Sequence, residues 1–332
     1  MRKRVLILHT GGTLGMRPRE PGTALEPDEL GTTLHERAPE MDQVADVSIR
    51  YLFNTDSSDM TPDHWMTLAA EIAGAVGGHD GVVVTHGTDT MAYTAAALSY
   101  VLRNLPFPVV LTGSQRPLVD VRSDARANLV GAVDLATRDI PEVAIYFGGH
   151  LLRGNRAIKS STFDFGAFSC PNFPPLAKLG AGFRLVTEPL RPAGEFKVEG
   201  KFDPRVAVIW WAPGQPVTPL EALMGTDTKG VLLEAFGMGN IPVADEATCN
   251  ALGTLVDRGI VVAIGSQSPH GRVDLDLYPG GRKARDAGVV GTGDMTAEAG
   301  SVKLMYLLGT CTTPEEVRGR LTEPIAGEIS TD

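Results

Sequence analysis

Thr85-His86-Gly87-Thr88-Asp89-Thr90 stands between two stretches of different character. Before it, Gly81-Val82-Val83-Val84 is a short apolar run of the kind that forms a fully buried strand. After it, Met91-Ala92-Tyr93-Thr94-Ala95-Ala96-Ala97-Leu98 is rich in the best helix former and reads as a helix. A strand, a turn bearing hydroxyls and a carboxylate, then a helix is the unit from which open α/β sheets are built. Such sheets bind ligands in the crevice beyond the carboxyl ends of their strands. The hexapeptide alone leaves a simpler role open, because Thr88, Asp89 or Thr90 could merely cap the helix.

A second stretch repeats the pattern. Val5-Leu6-Ile7-Leu8 is another apolar strand, and Thr10-Gly11-Gly12-Thr13 follows it. Outward from these two turns, strands are expected at Val47–Phe53, Pro108–Leu111 and Val143–Phe147. Helices are expected from Pro62 to about Val76, from about Thr90 to Arg103, and over Asp124–Thr137. Asp59 or Thr61 is the expected cap for the first of these, with Pro62 at its first position. The alternation predicts a mostly parallel sheet with helices on both faces. Right-handed crossovers then bring the loops at one strand edge together. Arg17–Glu29, rich in Pro, Gly, Glu and Arg, reads as a mobile surface loop beside that edge. Arg153–Ser161 reads as a hairpin or irregular extension. Residues 187–204 are polar and rich in Pro and Gly, and read as a linker. Val206–Trp210, Val231–Leu233 and Ile260–Ile264 are strands of a second α/β unit, with helices over Asp245–Asp257, Met295–Leu308 and from Thr313 onward. The expected division is therefore 1–186 as an N-terminal catalytic α/β domain, 187–204 as a linker, and 205–332 as a smaller C-terminal α/β domain.

Composition narrows the function. Apolar residues make up 43% of the 332, too many for a disordered chain. Thirty basic against 40 acidic residues give a net charge of −10, which disfavours nucleic acid and anionic membrane surfaces as partners. No apolar run approaches the ~18 residues of a membrane span, and the apolar stretch near the start is far shorter than a secretory signal. Cys170, Cys249 and Cys311 are scattered, with neither a disulfide framework nor zinc-ligand spacing. A soluble cytoplasmic protein is expected.

Standard cofactor signals are absent. There is no phosphate-binding Gly-x-x-x-x-Gly-Lys-Ser/Thr loop, no dinucleotide Gly-x-Gly-x-x-Gly after a strand, and no His-Glu-x-x-His. No Gly-x-Ser-x-Gly elbow is present either. What remains is hydroxyls at strand ends. Thr13 is a candidate nucleophile, needing a base or a cationic neighbour, and the glycines before it leave backbone N–H groups able to face an oxyanion. Thr88, Asp89 and Lys159 could form a second reactive group, since a lysine near a carboxylate can take a hydroxyl's proton or hold an alkoxide's charge. Asp89 could instead bind a substrate ammonium. Ser57 and Ser58, on a strand-to-helix turn, suit a substrate carboxylate, or simply cap the Pro62 helix. His9, His86 and His150 lie at strand ends without metal spacing and read as packing or hydrogen-bonding groups.

Taken together, the chain resembles the L-asparaginase family. The resemblance rests on Thr10-Gly11-Gly12-Thr13-Leu14-Gly15-Met16, Asp56-Ser57-Ser58-Asp59-Met60, Thr85-His86-Gly87-Thr88-Asp89-Thr90-Met91 and Thr112-Gly113-Ser114-Gln115-Arg116-Pro117. Lys159 before Ser160-Ser161-Thr162-Phe163, then Ser169-Cys170-Pro171-Asn172-Phe173-Pro174-Pro175-Leu176 and Gly239-Asn240-Ile241-Pro242, extend it over nearly the whole chain. The Ser57-Ser58 pair is similar to the cytosolic type I branch. The resemblance implies hydrolysis of the L-asparagine side-chain amide to L-aspartate and ammonia, without metal or organic cofactor, through a threonine-linked acyl-enzyme. It implies that Thr13 attacks, supported by Thr88, Lys159 and Asp89. It implies that Ser57, Ser58 and Asp89 hold the substrate's α-groups and that Ser114 lines the amide end. Asn240 would reach the site of a neighbouring subunit in a homodimer or dimer of dimers. L-glutamine or another small amide is the alternative substrate, and an amino-acid-binding sensor without turnover the alternative class. Many family members carry a tyrosine in the loop after the first threonine; here none precedes Tyr51.

Overall fold

The computed structural model describes residues 2–18, 25–27, 33–244 and 246–331. It divides into two compact units, Met1–Glu199 and Gly200–Asp332. In the first unit, β1 (Arg4–His9), β2 (Asp46–Tyr51), β3 (Gly81–Thr85), β4 (Val109–Thr112) and β5 (Val143–Phe147) run parallel in the order β2-β1-β3-β4-β5. Three antiparallel strands extend the sheet beyond β5: β6 (His150–Arg153), β7 (Ala177–Leu179) and β8 (Phe183–Leu185). The sequence does not announce them. They are short, and none has an alternating pattern long enough to separate it from loop.

The central strands are apolar on both sides because both sides are covered. Val5, Ile7, Val83 and Val110 pack into one cluster with Leu129, Val133 and Ala136 of helix α3 (Ala125–Ala136). Leu6, Leu8, Val82 and Val84 alternate to the opposite side and are equally buried. Helix α1 (Pro62–Ala75) starts at Thr61, whose N–H donates to His64 Nδ1 at 3.1 Å, with Pro62 in the first turn as expected. Helix α2 (Met91–Val101) is buried along almost its whole length, and it ends sooner than its composition suggests. Leu102 leaves the helix, and Leu102–Arg103 pairs with Lys197–Val198. That pairing, and the Leu190 N–H bonded to Glu142, hold residues 187–199 to the first unit, where the composition suggests a linker.

Met16–Pro18 pairs with Leu25–Pro27 inside the stretch read as a surface loop, whose other residues from 19 to 24 and 28 to 29 lie outside the described ones. The second unit has a parallel sheet of β9 (Val206–Trp210), β10 (Gly230–Ala235), β11 (Val261–Ser266) and β12 (Val290–Gly291). Helix α4 (Ala247–Asp257) lies between β10 and β11 in the chain, helix α5 (Ala297–Thr310) follows β12, and helix α6 (Pro314–Leu321) comes next. Asp245, expected at the head of α4, lies outside the described residues. Thr296 caps α5 and Thr313 caps α6, each accepting a backbone N–H.

Candidate active site

In the order β2-β1-β3-β4-β5 the chain reverses direction of growth between β1 and β3, and a crevice opens at such a switch point. The two threonine turns leave these neighbouring strands. They are joined through backbone: Thr10 N–H donates to the Thr85 carbonyl at 3.2 Å, its hydroxyl donates to the same oxygen at 2.9 Å, and Thr55 N–H donates to the Thr10 carbonyl at 3.0 Å. Gly11 and Gly12 sit at φ of +110° and +87°, values that only glycine adopts without strain. A Cβ on Gly12 would lie 2.4 Å from Gly87 N, and one on Gly87 would lie 2.6 Å from the Ser57 side chain. The turn after β1 therefore meets its neighbours main chain against main chain, Gly12 against Gly87 and Gly11 against the Thr55 carbonyl, while the Ser57 side chain fills the space beside Gly87.

Thr13 opens a 3-10 turn, Thr13–Gly15, closed by Gly15 N–H on the Gly12 carbonyl at 3.0 Å, and is partly exposed. Ser57 is buried, and its carbonyl accepts the Thr90 hydroxyl at 2.7 Å. Ser58 is exposed; its N–H and hydroxyl both donate to Asp56 Oδ1 at 2.8 Å. Those two bonds hold the Asp56 carboxyl below its ordinary range.

Lys159 arrives from the far end of the sheet. Gly148 and Gly149, both at positive φ, turn β5 back into β6. A 3-10 turn over Gly154–Arg156 follows, and Ile158–Lys159 pairs with Phe168–Ser169. Arg153 is fixed by a buried fork on Glu142, with Nε–Oε2 at 2.6 Å and a second bond at 2.9 Å. The guanidinium groups of Arg153 and Arg156 lie 4.5 and 5.1 Å from the Phe173 ring centroid. From this anchored base, Lys159 Nζ donates to Thr88 Oγ1 at 2.7 Å and to Asp89 Oδ1 at 2.6 Å. The lysine side chain is 16% exposed and the aspartate side chain 68%, so the pair lies at a mouth open to solvent on the aspartate side.

Ser114 follows β4 and is fully buried; its hydroxyl has no partner among the described residues. The loop carrying it is held from behind. Asp124 accepts the backbone N–H of Gln115 at 3.0 Å and of Arg116 at 3.1 Å. Asn128, one helical turn on, donates to the Gly113 carbonyl at 3.0 Å. The Gln115 side-chain amide reaches the carbonyls of Ser161 and Asp164, tying this loop to the turn after Lys159. Sequence reading places Asp124 only at the head of a helix and gives Gln115 and Asn128 no role, because partners eight to 49 positions away leave no periodic trace.

Asn240 lies in the second unit, in the tight turn after β10, where its N–H donates to the Phe236 carbonyl at 2.8 Å. His9 and His86 are buried, and burial pushes both imidazoles down to about 4, as neutral hydrogen-bonding groups require. His150 is exposed and contacts the Gly148 carbonyl. Among the described residues no three His, Cys, Asp or Glu side chains gather as a metal site. No described helix is long and apolar enough to cross a membrane.

Comparison with known proteins agrees across the chain. The family described as Asparaginase, N-terminal, matches residues 4–191, and the Glutaminase/Asparaginase C-terminal domain matches residues 205–321. L-asparaginase 1 of Escherichia coli K12 is 37% identical over 350 aligned residues, covering 100% of this chain and 99% of that one. A glutamyl-tRNA(Gln) amidotransferase subunit of Pyrococcus abyssi is 38% identical, covering 98% of this chain and 76% of its own. The thermostable L-asparaginase of Thermococcus kodakarensis superposes with a TM-score of 0.93 at 34% identity, over 99% of this chain and all of the other. L-asparaginase I of Vibrio cholerae gives a TM-score of 0.91 at 37% identity, over 100% of both.

Proposed function

The chain belongs to the asparaginase family, and from that premise we propose that it hydrolyses the side-chain amide of L-asparagine to L-aspartate and ammonia through an acyl-enzyme on Thr13. One observation carries the site assignment. A single ammonium, Lys159 Nζ, bridges the Thr88 hydroxyl and the Asp89 carboxylate, groups 71 and 70 residues away in the chain. It does so on the turn whose Gly87 is packed against Gly12, next to Thr13.

In the proposed reaction the Thr13 oxygen bonds to the amide carbon, and its proton passes to the amide nitrogen, which leaves as ammonia. A water oxygen then bonds to the acyl carbon and the ester C–O bond breaks. One water proton restores the Thr13 hydroxyl, and the other is released as the product carboxylate forms. Lys159 stabilises negative charge at Thr88 Oγ1, and Thr88 orients the group that delivers and receives protons. Ser57, Ser58 and Asp89 take the substrate's α-carboxylate and α-ammonium, and the unpartnered Ser114 hydroxyl meets the amide end. Asn240 completes the site of a neighbouring copy in a homodimer or dimer of dimers. The protein works in the cytoplasm. These last assignments rest on the family resemblance.

A second substrate, L-glutamine, is favoured by the similarity to the glutamyl-tRNA(Gln) amidotransferase subunit of Pyrococcus abyssi. Ammonia release from L-asparagine, L-glutamine and D-asparagine separates the readings. L-asparagine is expected to give the highest kcat/KM. Lys159→Met is expected to lower it by at least about 100-fold; near-normal turnover would remove Lys159 from the mechanism.

A further inference from the structure

Behind Thr88, three buried side chains form a chain of hydrogen bonds that the proposed reaction leaves without a role. Trp65, on α1, donates its indole N–H to Thr94 Oγ1 at 3.1 Å. Thr94, on α2, lies 2.9 Å from His86 Nε2. His86 Nδ1 lies 2.7 Å from the Gly87 carbonyl oxygen. Trp65 is 6% exposed, Thr94 0% and His86 1%.

Chemistry fixes the direction of every bond. A carbonyl oxygen only accepts, so His86 Nδ1 carries a proton. Burial keeps the imidazole neutral down to about pH 4, so Nε2 is bare and accepts from the Thr94 hydroxyl. The Thr94 oxygen in turn accepts from Trp65, whose indole can only donate. The bonds run from Trp65 to Thr94 to His86 to Gly87, with each proton assigned once.

The bond from His86 to Gly87 also orients the peptide beyond it. In a trans peptide the carbonyl and the N–H point in opposite directions, and the chain has no cis peptide bonds. With its carbonyl turned onto His86, the Gly87–Thr88 peptide must turn the Thr88 N–H the other way. That N–H donates to no group among the described residues. It belongs to the residue whose hydroxyl meets Lys159. We propose that the Trp65–Thr94–His86 relay is a positioning device that fixes the Gly87–Thr88 peptide so that the Thr88 N–H donates to the oxyanion formed when the substrate amide is attacked. This rests on the assignment of Thr88 and Lys159 to the reacting group. None of the three relay residues touches substrate; they act by holding one peptide plane, and a preorganised donor of this kind acts mainly in the transition state.

The experiment compares the full-length wild type with Thr94→Val, Thr94→Ser, His86→Leu and His86→Asn, reading kcat and KM separately together with the thermal midpoint. Thr94→Val and His86→Leu are expected to lose about tenfold or more in kcat, with KM changed by less than about threefold. Thr94→Ser restores the hydroxyl and is expected to restore kcat. His86→Asn keeps a donor near the Nδ1 position and is expected to retain more activity than His86→Leu. Wild-type kcat in folded Thr94→Val, a loss confined to KM, or a Thr94→Ser variant as slow as Thr94→Val would overturn the proposal. Should the His86 variants fail to fold, the ring nitrogen shifts of wild-type His86 decide it. A proton on Nδ1 at neutral pH supports the relay, and a proton on Nε2 sinks it. Lys159→Met and Thr88→Val are assayed alongside. If both keep turnover, the reacting group itself is misassigned; if both lose it while the relay variants do not, the relay alone falls.

Discussion

Thr13 and Thr88 are legible as reactive candidates because each ends an apolar strand behind glycine, a pattern with a direct mechanical reading. What the sequence withholds is their closeness to each other and to Lys159. A lysine with no lysine near it in the chain is more often a solvated surface group. Only the folded hairpin after β6 brings its ammonium to within 2.7 Å of Thr88 Oγ1. His9 and His86 read as hydrogen-bonding groups from their strand-end positions, but their partners are set by tertiary packing and have no signature in the chain. At this scale the expected result is that Thr13→Ala and Thr88→Val each lower ammonia release by at least about 10³-fold. L-asparagine should still bind, since in the proposed reaction the hydroxyls serve the chemistry and other groups hold the α-carboxylate and α-ammonium. Calorimetry on the two variants checks this, and loss of binding would move the threonines from catalysis to recognition.

Among the elements, the long apolar and amphipathic ones are visible in the sequence, and the short ones are not. β5 falls residue for residue where its apolar run predicts, and α1 ends within one residue of expectation, because Pro62 and the glycines after Val76 punctuate it. β6, β7 and the hairpin bearing Lys159 escape such reading, since two- to four-residue strands exist only through pairing with partners far along the chain. The same limit hides the anchor of the C-terminal segment. Lys303, in the middle of α5, is fully buried against the equally buried Glu328 at 2.7 Å, and it also donates to the carbonyls of Leu321 and Glu323. Glu328 in turn accepts the N–H groups of Ile325 and Ala326. Removing one partner strands the other charge away from water. Lys303→Met is therefore expected to cost about 3–5 kcal/mol of stability, and the double variant Lys303→Met/Glu328→Leu to recover part of it. Denaturant unfolding of both proteins measures the difference.

For the whole molecule, buried titratable groups in the two units give opposite responses to pH. In the first unit, His9 and His86 accept protons only near pH 4 when folded, against 6.5 as an ordinary value. Their contribution is complete above about 6.5 and drains away as pH falls toward 4. In the second unit, Glu234 is 3% exposed, its Oε1 has no partner among the described residues, and burial, assisted by the charge of Glu298, raises its carboxyl to about 7. An unfolded chain releases that proton near 4.5, so stability declines as pH rises from 4.5 to about 7 and stays lower above it. Glu234→Gln is expected to match the wild type near pH 4 and to exceed it by on the order of 3 kcal/mol at pH 8. Thermal melts of the two proteins across that range test the sign; a variant less stable at pH 8 would refute it. The two-unit organisation itself is legible as a composition break, though composition draws the boundary too early. Polar, proline-rich residues 187–199 look like a tether, and only the pairing of Lys197–Val198 with Leu102–Arg103 reveals that they belong to the first body.

The glycine contacts at Gly12 and Gly87 bear on how this enzyme can be redesigned. Because peptide groups, not side chains, set the gap between the two hydroxyl-bearing turns, random mutagenesis should find almost no survivors at those two codons. Altered substrate choice is expected to come from side chains that border the gap, not from the glycines. A library that spares the glycines and varies the side chains bordering the gap keeps the backbone geometry on which the site depends.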